Sequence, residues 1–191
     1  MNIRIVQHKD EARAISALTL AFSIDPMMRW SLPNAEKYLE IFSSIGMAFG
    51  GNAFEKGTAY MAESFAGIAL WLPPGLGSDE EELTKLFNEN VCKEIKQDMT
   101  NIFQQMEKFR PSEPHWYLPM IGVDPAYQNM GVGSALMIEA LKIVDHDGSM
   151  AYLESSNPKN ISLYERHGFE VIGEIQSGSS PILRPMMRKA R

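Results

Sequence analysis

Between residues 128 and 135 the chain reads Gln-Asn-Met-Gly-Val-Gly-Ser-Ala, and this stretch constrains the fold more than any other. An apolar and aromatic run, His115 to Val123, precedes it and reads as a strand. A helical pattern follows from Gly131 to Val144, with Val132, Leu136, Ala140 and Val144 on one ridge. A strand, a glycine turn and a helix in this order leave the first backbone N–H groups of the helix without intrahelical partners, at the positive end of its dipole. Glycines there allow a phosphate to come close to the backbone. The same glycines also serve a tight turn with close helix–strand packing, and the loop alone does not choose between the two. Two common nucleotide motifs fit poorly. No Lys follows Gly133, as a P-loop needs. A dinucleotide fold wants a third glycine where Leu136 stands, and only 37 residues follow Glu154, the acid placed to bind a ribose.

The remaining segments form a mixed pattern. Asn2 to Val6 reads as a strand, and Asp10 to Ala21 as a helix that Asp25-Pro26 ends. Ala35 to Phe49 is amphipathic and closes at Gly50-Gly51. Thr58 to Glu63 and Gly67 to Leu72 read as a hairpin, stopped by Pro73-Pro74-Gly75. Asp79 to Glu82 suits the first turn of a helix that runs to about Phe109, with a break in its middle. Pro119 within the strand 115–123 predicts a bulge or a splayed edge, because proline removes a ladder hydrogen bond. Ala151 to Glu154 reads as a strand and Asn160 to Arg166 as a short helix capped by Gly168. Phe169 to Ile175 and Ile182 to Met187 complete the strands. No repeat or inter-domain linker interrupts the 191 residues, so one domain is expected over 1–191.

Composition excludes several classes. The net charge of −6 argues against a general nucleic-acid binder and disfavours anionic membranes. Cys92 is the only cysteine, so no internal disulfide and no thiolate zinc site can form. The four histidines lack metal-ligand spacing, and no metal is expected. Cys92 lies in the long helical stretch, where packing is the expected role. The N-terminus turns polar at Gln7 and does not read as a signal peptide, and no apolar run reaches the roughly 18 residues that span a bilayer. A cytoplasmic protein is the expectation.

Four elements in order carry a resemblance. Gln128 to Ala135 resembles the Q/R-x-x-G-x-G/A signature of GNAT-type N-acetyltransferases. His115-Trp116-Tyr117-Leu118 through Ile121-Gly122-Val123-Asp124-Pro125 resembles the strand before it. Tyr152-Leu153-Glu154-Ser155 resembles the next strand, and Asn160, Tyr164 and Gly168-Phe169 resemble the N-x-x-x-Y and Y-x-x-x-G-F elements. The likeness covers Trp116 to about Arg188. The front half matches only in coarse order, although Leu70 to Gly75 resembles a phrase of some small-molecule members.

The resemblance implies an α/β fold with a mixed, mostly antiparallel central sheet, splayed middle strands and flanking helices. It implies acetyl-CoA as co-substrate, with residues 115–191 as the cofactor-binding and catalytic part and residues 1–114 supplying acceptor-site helices. Ile121, Gly122 and Val123 would meet the pantetheine arm and thioester. Gln128, Asn129, Met130, Gly131, Val132, Gly133 and Ser134 would hold the pyrophosphate, and Asn160 would contact the pantetheine. Tyr164 would act as general acid towards the sulfur. Glu154, ending its strand at the cleft, is the candidate base, against a structural carboxylate. Histidines 115, 146 and 167 read as pairing, packing or peripheral residues. Trp30, Tyr38, Phe42 and Trp71 read as core before pocket.

No nucleophile elbow is present, so direct acetyl transfer to the primary amine of a small molecule is the leading expectation. Acetylation of a protein N-terminus or lysine, and a non-catalytic acyl-CoA-binding module, are the alternatives; a homodimer is a family-level expectation. Charge divides unevenly: residues 1–114 hold 11 basic and 16 acidic side chains, and residues 115–191 hold 7 and 8. The acidity therefore sits in the half expected to meet the acceptor, as a cationic amine would suit.

Overall fold

The computed structural model describes residues 1–191. Seven strands form one sheet in the order β1-β2-β3-β4-β5-β7-β6. They are β1 (Ile3–Ile5), β2 (Ala59–Ala62), β3 (Gly67–Leu72), β4 (His115–Val123), β5 (Met150–Ser155), β6 (Glu170–Val171) and β7 (Arg184–Arg188). Every neighbouring pair is antiparallel except β4 and β5. Those two run parallel because α7 (Val132–His146) carries the chain back across the sheet between them. The mixed, mostly antiparallel sheet with flanking helices is as expected.

The helices before β4 are α1 (Glu11–Phe22), α2 (Pro26–Ser31), α3 (Ala35–Gly50), α4 (Asn52–Glu55), α5 (Glu80–Asn90) and α6 (Lys96–Phe109); α8 (Ile161–Arg166) follows β5. Side-chain caps define three starts. Asp25 accepts from the Met28 N–H, Asn34 from Lys37, and Asp79 from Glu82, whose turn also carries Glu80 and Glu81. Asp25-Pro26 thus does more than end α1. Pro26 occupies the first turn of α2, where its missing N–H costs nothing. The expected long helix to Phe109 breaks at Val91–Ile95, and Cys92 lies exposed in that break instead of packing. The strand expected over 169–175 shrinks to two residues, with one isolated bridge from Ile175 to Leu183 beyond it.

Alternation along the strands divides the core into two layers. Ile68, Leu70, Leu72, Tyr117 and Tyr152 face the helices α1, α3, α5 and α6. Ala69, Trp71, Trp116, Leu118, Ala151 and Leu153 face α7 and α8. The period of two fails at one place. Tyr117 and Met120 both point to the first layer, and the β3–β4 register shifts between Leu70 and Leu72. One extra residue on β4 around Pro119 accounts for both, since a bulge reverses the facing of all that follows.

Phe42 on α3 is fully buried, with its ring 5.1 Å from that of Tyr38 and 5.7 Å from that of Phe22. The Tyr38 hydroxyl donates to the Thr19 carbonyl at 2.5 Å, tying α3 to α1. Phe42→Ala should destabilise the fold by about 3–5 kcal/mol, measured by chemical denaturation, because the helices cannot close the resulting cavity.

Candidate active site

The bulge has a consequence for the neighbouring ladder. β4 and β5 pair only at His115–Met150, Trp116–Ala151 and Tyr117–Tyr152. Beyond Tyr117, β4 continues beside β3, with Ile121, Gly122 and Val123 opposite Ala69, Ile68 and Gly67. Its other edge has lost its partner. The two central strands therefore form a fork with free backbone groups on one prong, and such groups require partners when a ligand removes them from water. Gly122 lets α1 approach this prong, since a Cβ would lie 2.7 Å from that of Ala21.

At the open end of the fork, Asp124 caps a short 3-10 turn and the chain enters the glycine loop. Gly131 has φ +81° and Asn129 φ +62°, both in the left-handed region. A Cβ on Gly131 would meet nothing within 4 Å, so the loop is open there. The start of α7 has no side-chain cap, unlike α2, α3 and α5. The N–H groups of Gln128 through Ser134 donate to no backbone carbonyl; the first that does is Ala135, to Gly131. An open concave loop with a run of free N–H donors at a helix start fits a pyrophosphate. Val132 is buried and packs towards Gly67, Gly133 lies against Leu163, and Met130 is exposed, so these three offer main chain.

His167 belongs to this loop, although its position in the sequence reads as peripheral. Its Nε2 is 2.9 Å from Ser134 Oγ. Its carbonyl accepts from Nε of the buried Arg188, which pairs with Asp145 at the far end of α7 at 2.6 Å. Burial, then the charges of Arg166 and Arg188, hold the His167 imidazole below its ordinary value, favouring the neutral ring.

Glu154 lies on β5 just past its last pair with β4, and Tyr164 packs in the layer under α7 and α8, on the other side of the sheet. Glu154 projects to the same side of β5 as Tyr152. Its Oε2 accepts from the Tyr117 hydroxyl at 2.9 Å, whereas its Oε1 is buried with no partner. The Tyr152 hydroxyl beside it is likewise buried and unpartnered. Burial raises the Glu154 carboxyl above the usual carboxylate range, against the opposing effects of Tyr117, Arg110 and Tyr152. Tyr164 on α8 is buried against Phe169, and its hydroxyl makes no hydrogen bond. Burial, and secondarily the charge of Asp25, push its phenol well up, so it stays protonated. Asn160, one turn earlier, stands at the start of α8. Asp25 is the other residue that the sequence does not mark as part of this region. Buried at the start of α2, it accepts from Ser156 Oγ at 2.5 Å and so fastens the α1–α2 turn to the end of β5. No three His, Cys, Asp or Glu side chains converge so as to hold a metal. No helix is long and apolar enough to cross a membrane.

A forked sheet with an open glycine loop at its mouth is the arrangement that the resemblance to acetyltransferases implies. Comparison with known proteins carries this further. Residues 98–169 match the acetyltransferase (GNAT) family. An uncharacterized N-acetyltransferase of Schizosaccharomyces pombe is 26% identical over 192 residues, covering 88% of this chain and 74% of that protein. A structure described as histone acetyltransferase HPA2 and related acetyltransferase from Corynebacterium glutamicum superposes with a TM-score of 0.70 at 20% identity, over 100% of this chain and 96% of that one. Arylalkylamine N-acetyltransferase 2 of Aedes aegypti gives 0.65 at 13%, over 100% and 99%. Polyamine N-acetyltransferase of Drosophila melanogaster gives 0.65 at 13%, over 98% and 99%. Over residues 98–169 the chain is thus similar to the GNAT acetyltransferases, and over its whole length it shares their fold, which implies acetyl-CoA as co-substrate.

Gly131→Val should abolish coenzyme A binding in calorimetry while leaving the circular dichroism spectrum unchanged. A branched side chain at φ +81° would both strain the loop and fill the open space. Wild-type affinity in this variant contradicts the cradle.

Proposed function

We propose that the protein transfers the acetyl group of acetyl-CoA directly to a primary amine of a small molecule. The observation that carries this reading is the half-satisfied Glu154 carboxylate: one oxygen is fixed by Tyr117, and the other is buried, unpartnered and next to the fork. An amine proton is the group such an oxygen can take. The unbonded hydroxyl of Tyr164 is the matching acid. As the amine nitrogen bonds to the thioester carbonyl carbon and the carbon–sulfur bond breaks, Glu154 takes the proton from nitrogen and Tyr164 supplies one to sulfur. Backbone donors on the free edge of β4 and in residues 128–134 would hold the co-substrate, so that the encounter becomes intramolecular. Cys92 is exposed in the α5–α6 break, which favours direct attack over an acyl-cysteine route.

Closure of the acceptor side supports a small substrate. The segment before β7 is strapped to α6, with Ser177 Oγ donating to Asp98 at 2.8 Å and accepting from Asn101 at 3.1 Å, and Gln105 donating to the Gln176 carbonyl at 3.0 Å. Trp30 reaches the same strap through Ser179. A cavity of about 230 Å³ lies between α5 and α6, and one of about 330 Å³ lies beside residues 110–115. That two structural neighbours are described as arylalkylamine and polyamine N-acetyltransferases agrees with an amine acceptor.

The test is release of coenzyme A from acetyl-CoA against polyamines, arylalkylamines, amino acids, aminoglycosides and short peptides. At least one small amine should accelerate release; acceleration by none, or by peptides alone, overturns the proposal. With the best acceptor, Tyr164→Phe should lower kcat by about 10²-fold or more and leave the affinity for acetyl-CoA in place.

A further inference from the structure

Three residues around Glu154 are not explained by acetyl transfer as described so far. Tyr117 and Tyr152 lie side by side across the last β4–β5 pair, with rings 6.0 Å apart, and both are almost completely buried. Arg110, just beyond α6, places its guanidinium 5.3 Å from the centre of the Tyr117 ring. Its NH1 is held by Glu80 of α5 at 2.6 Å, while its Nε is buried with no partner. A line of polar groups therefore runs from Glu80 through Arg110 and Tyr117 to Glu154, joining four elements far apart in sequence. Hydroxyls buried among apolar side chains cost stability unless they are paired, and phenylalanine would fill the same space. The line is also incomplete as a structural network. Arg110 Nε, Tyr152 Oη and Glu154 Oε1 are each left over. Arg110 and Tyr117 wall both the cavity between α5 and α6 and the one beside residues 110–115, so the line ends at solvent and not in the core.

Resting on the reading of Glu154 as the base, we propose that Tyr117 and Arg110 are its positioning residues. Tyr117 holds Oε2 so that Oε1 is turned to the acceptor, and Arg110 supplies the positive charge that faces the carboxylate through the tyrosine. Two opposed influences then set when the base is available. Burial favours the protonated, inactive carboxyl, and the Tyr117 hydrogen bond and Arg110 charge favour the ionised one. The groups that face Glu154 are Tyr117 from β4, Tyr152 from its own strand and Arg110 from the end of α6. Glu80 offsets part of the Arg110 charge. His115 stacks edge-on against Tyr152 at 5.9 Å, and Asp25 stands by the end of β5 through Ser156. Loss of either Tyr117 or Arg110 favours the protonated form, so the acid limb of activity moves to higher pH.

The experiment follows the Glu154 side-chain carboxyl carbon by NMR in ¹³C-glutamate-labelled full-length protein, with Glu154→Gln assigning the signal. The pH profile of kcat/KM is taken in parallel, with tryptamine and spermidine as probe amines. In Tyr117→Phe and Arg110→Met the Glu154 titration should move upward. Their kcat/KM should fall about tenfold at the acid end, as expected on losing a stabilising contact to a charged group, and converge on wild type at the alkaline end. Tyr38→Phe, which removes a buried hydroxyl elsewhere, should leave the titration in place. An unmoved Glu154 signal in both variants, or a loss of kcat equal at every pH, overturns the positioning role. Wild-type turnover in Glu154→Gln instead overturns the reading of Glu154 as the base, whatever the titrations show.

Discussion

The short parallel ladder between β4 and β5 is the constraint on which the site depends. Three residue pairs hold the two strands together, and the pairing ends at Tyr117 and Tyr152. Had it continued, the backbone groups of Leu118 to Val123 would be spent on β5, and Glu154 would lie in an ordinary strand of a closed sheet. The bulge around Pro119 prevents this. It turns β4 towards β3, and it leaves α7 to approach from the open end of the fork with its first turn uncapped. A local property of one proline and one extra residue thus accompanies the free strand edge and leaves Glu154 just past the last β4–β5 pair.

The two core layers divide the work on either side of that fork. Beneath α7 and α8, the Arg188–Asp145 ion pair, the Arg188–His167 contact and the Ser134–His167 contact brace the glycine loop from behind. On the opposite face, α1, α3, α5 and α6 cover the sheet, and their acidic residues give the first 114 positions most of the net negative charge. The Asp25–Ser156 hydrogen bond and the strap from α6 to residues 176–177 join this cover to the second half of the chain.

Much of the second half of the chain was legible in the sequence because its turns are written in residues with few conformational options. Gly131 needs φ +81°, Pro119 cannot donate to a ladder, and Gly168 ends α8 at φ +88°. The first 114 residues carry such punctuation only in places. No glycine or proline marks the break at Val91–Ile95, so the apolar spacing of α5 runs on into that of α6. Asp25-Pro26 stops one helix and starts the next, and the dipeptide has the same form for both tasks. The pairings that define the site chemistry were not legible at all. Tyr117 meets Glu154 at a separation of 37 residues, and Ser134 meets His167 at 33, with no local pattern to announce either contact. His167 reads as peripheral and Cys92 as packing for the same reason: their surroundings come from distant segments.

The central claim is that the free edge of β4 and the loop at residues 128–134 together form one site for acetyl-CoA. Amide NMR spectra of the ¹⁵N-labelled protein, titrated with acetyl-CoA, test it most directly. The account predicts that the amides of Leu118 to Val123 (apart from Pro119) and of Gln128 to Ser134 shift together along one saturation curve. Saturable shifts confined to α5 and α6, with both of these segments unmoved, would contradict it.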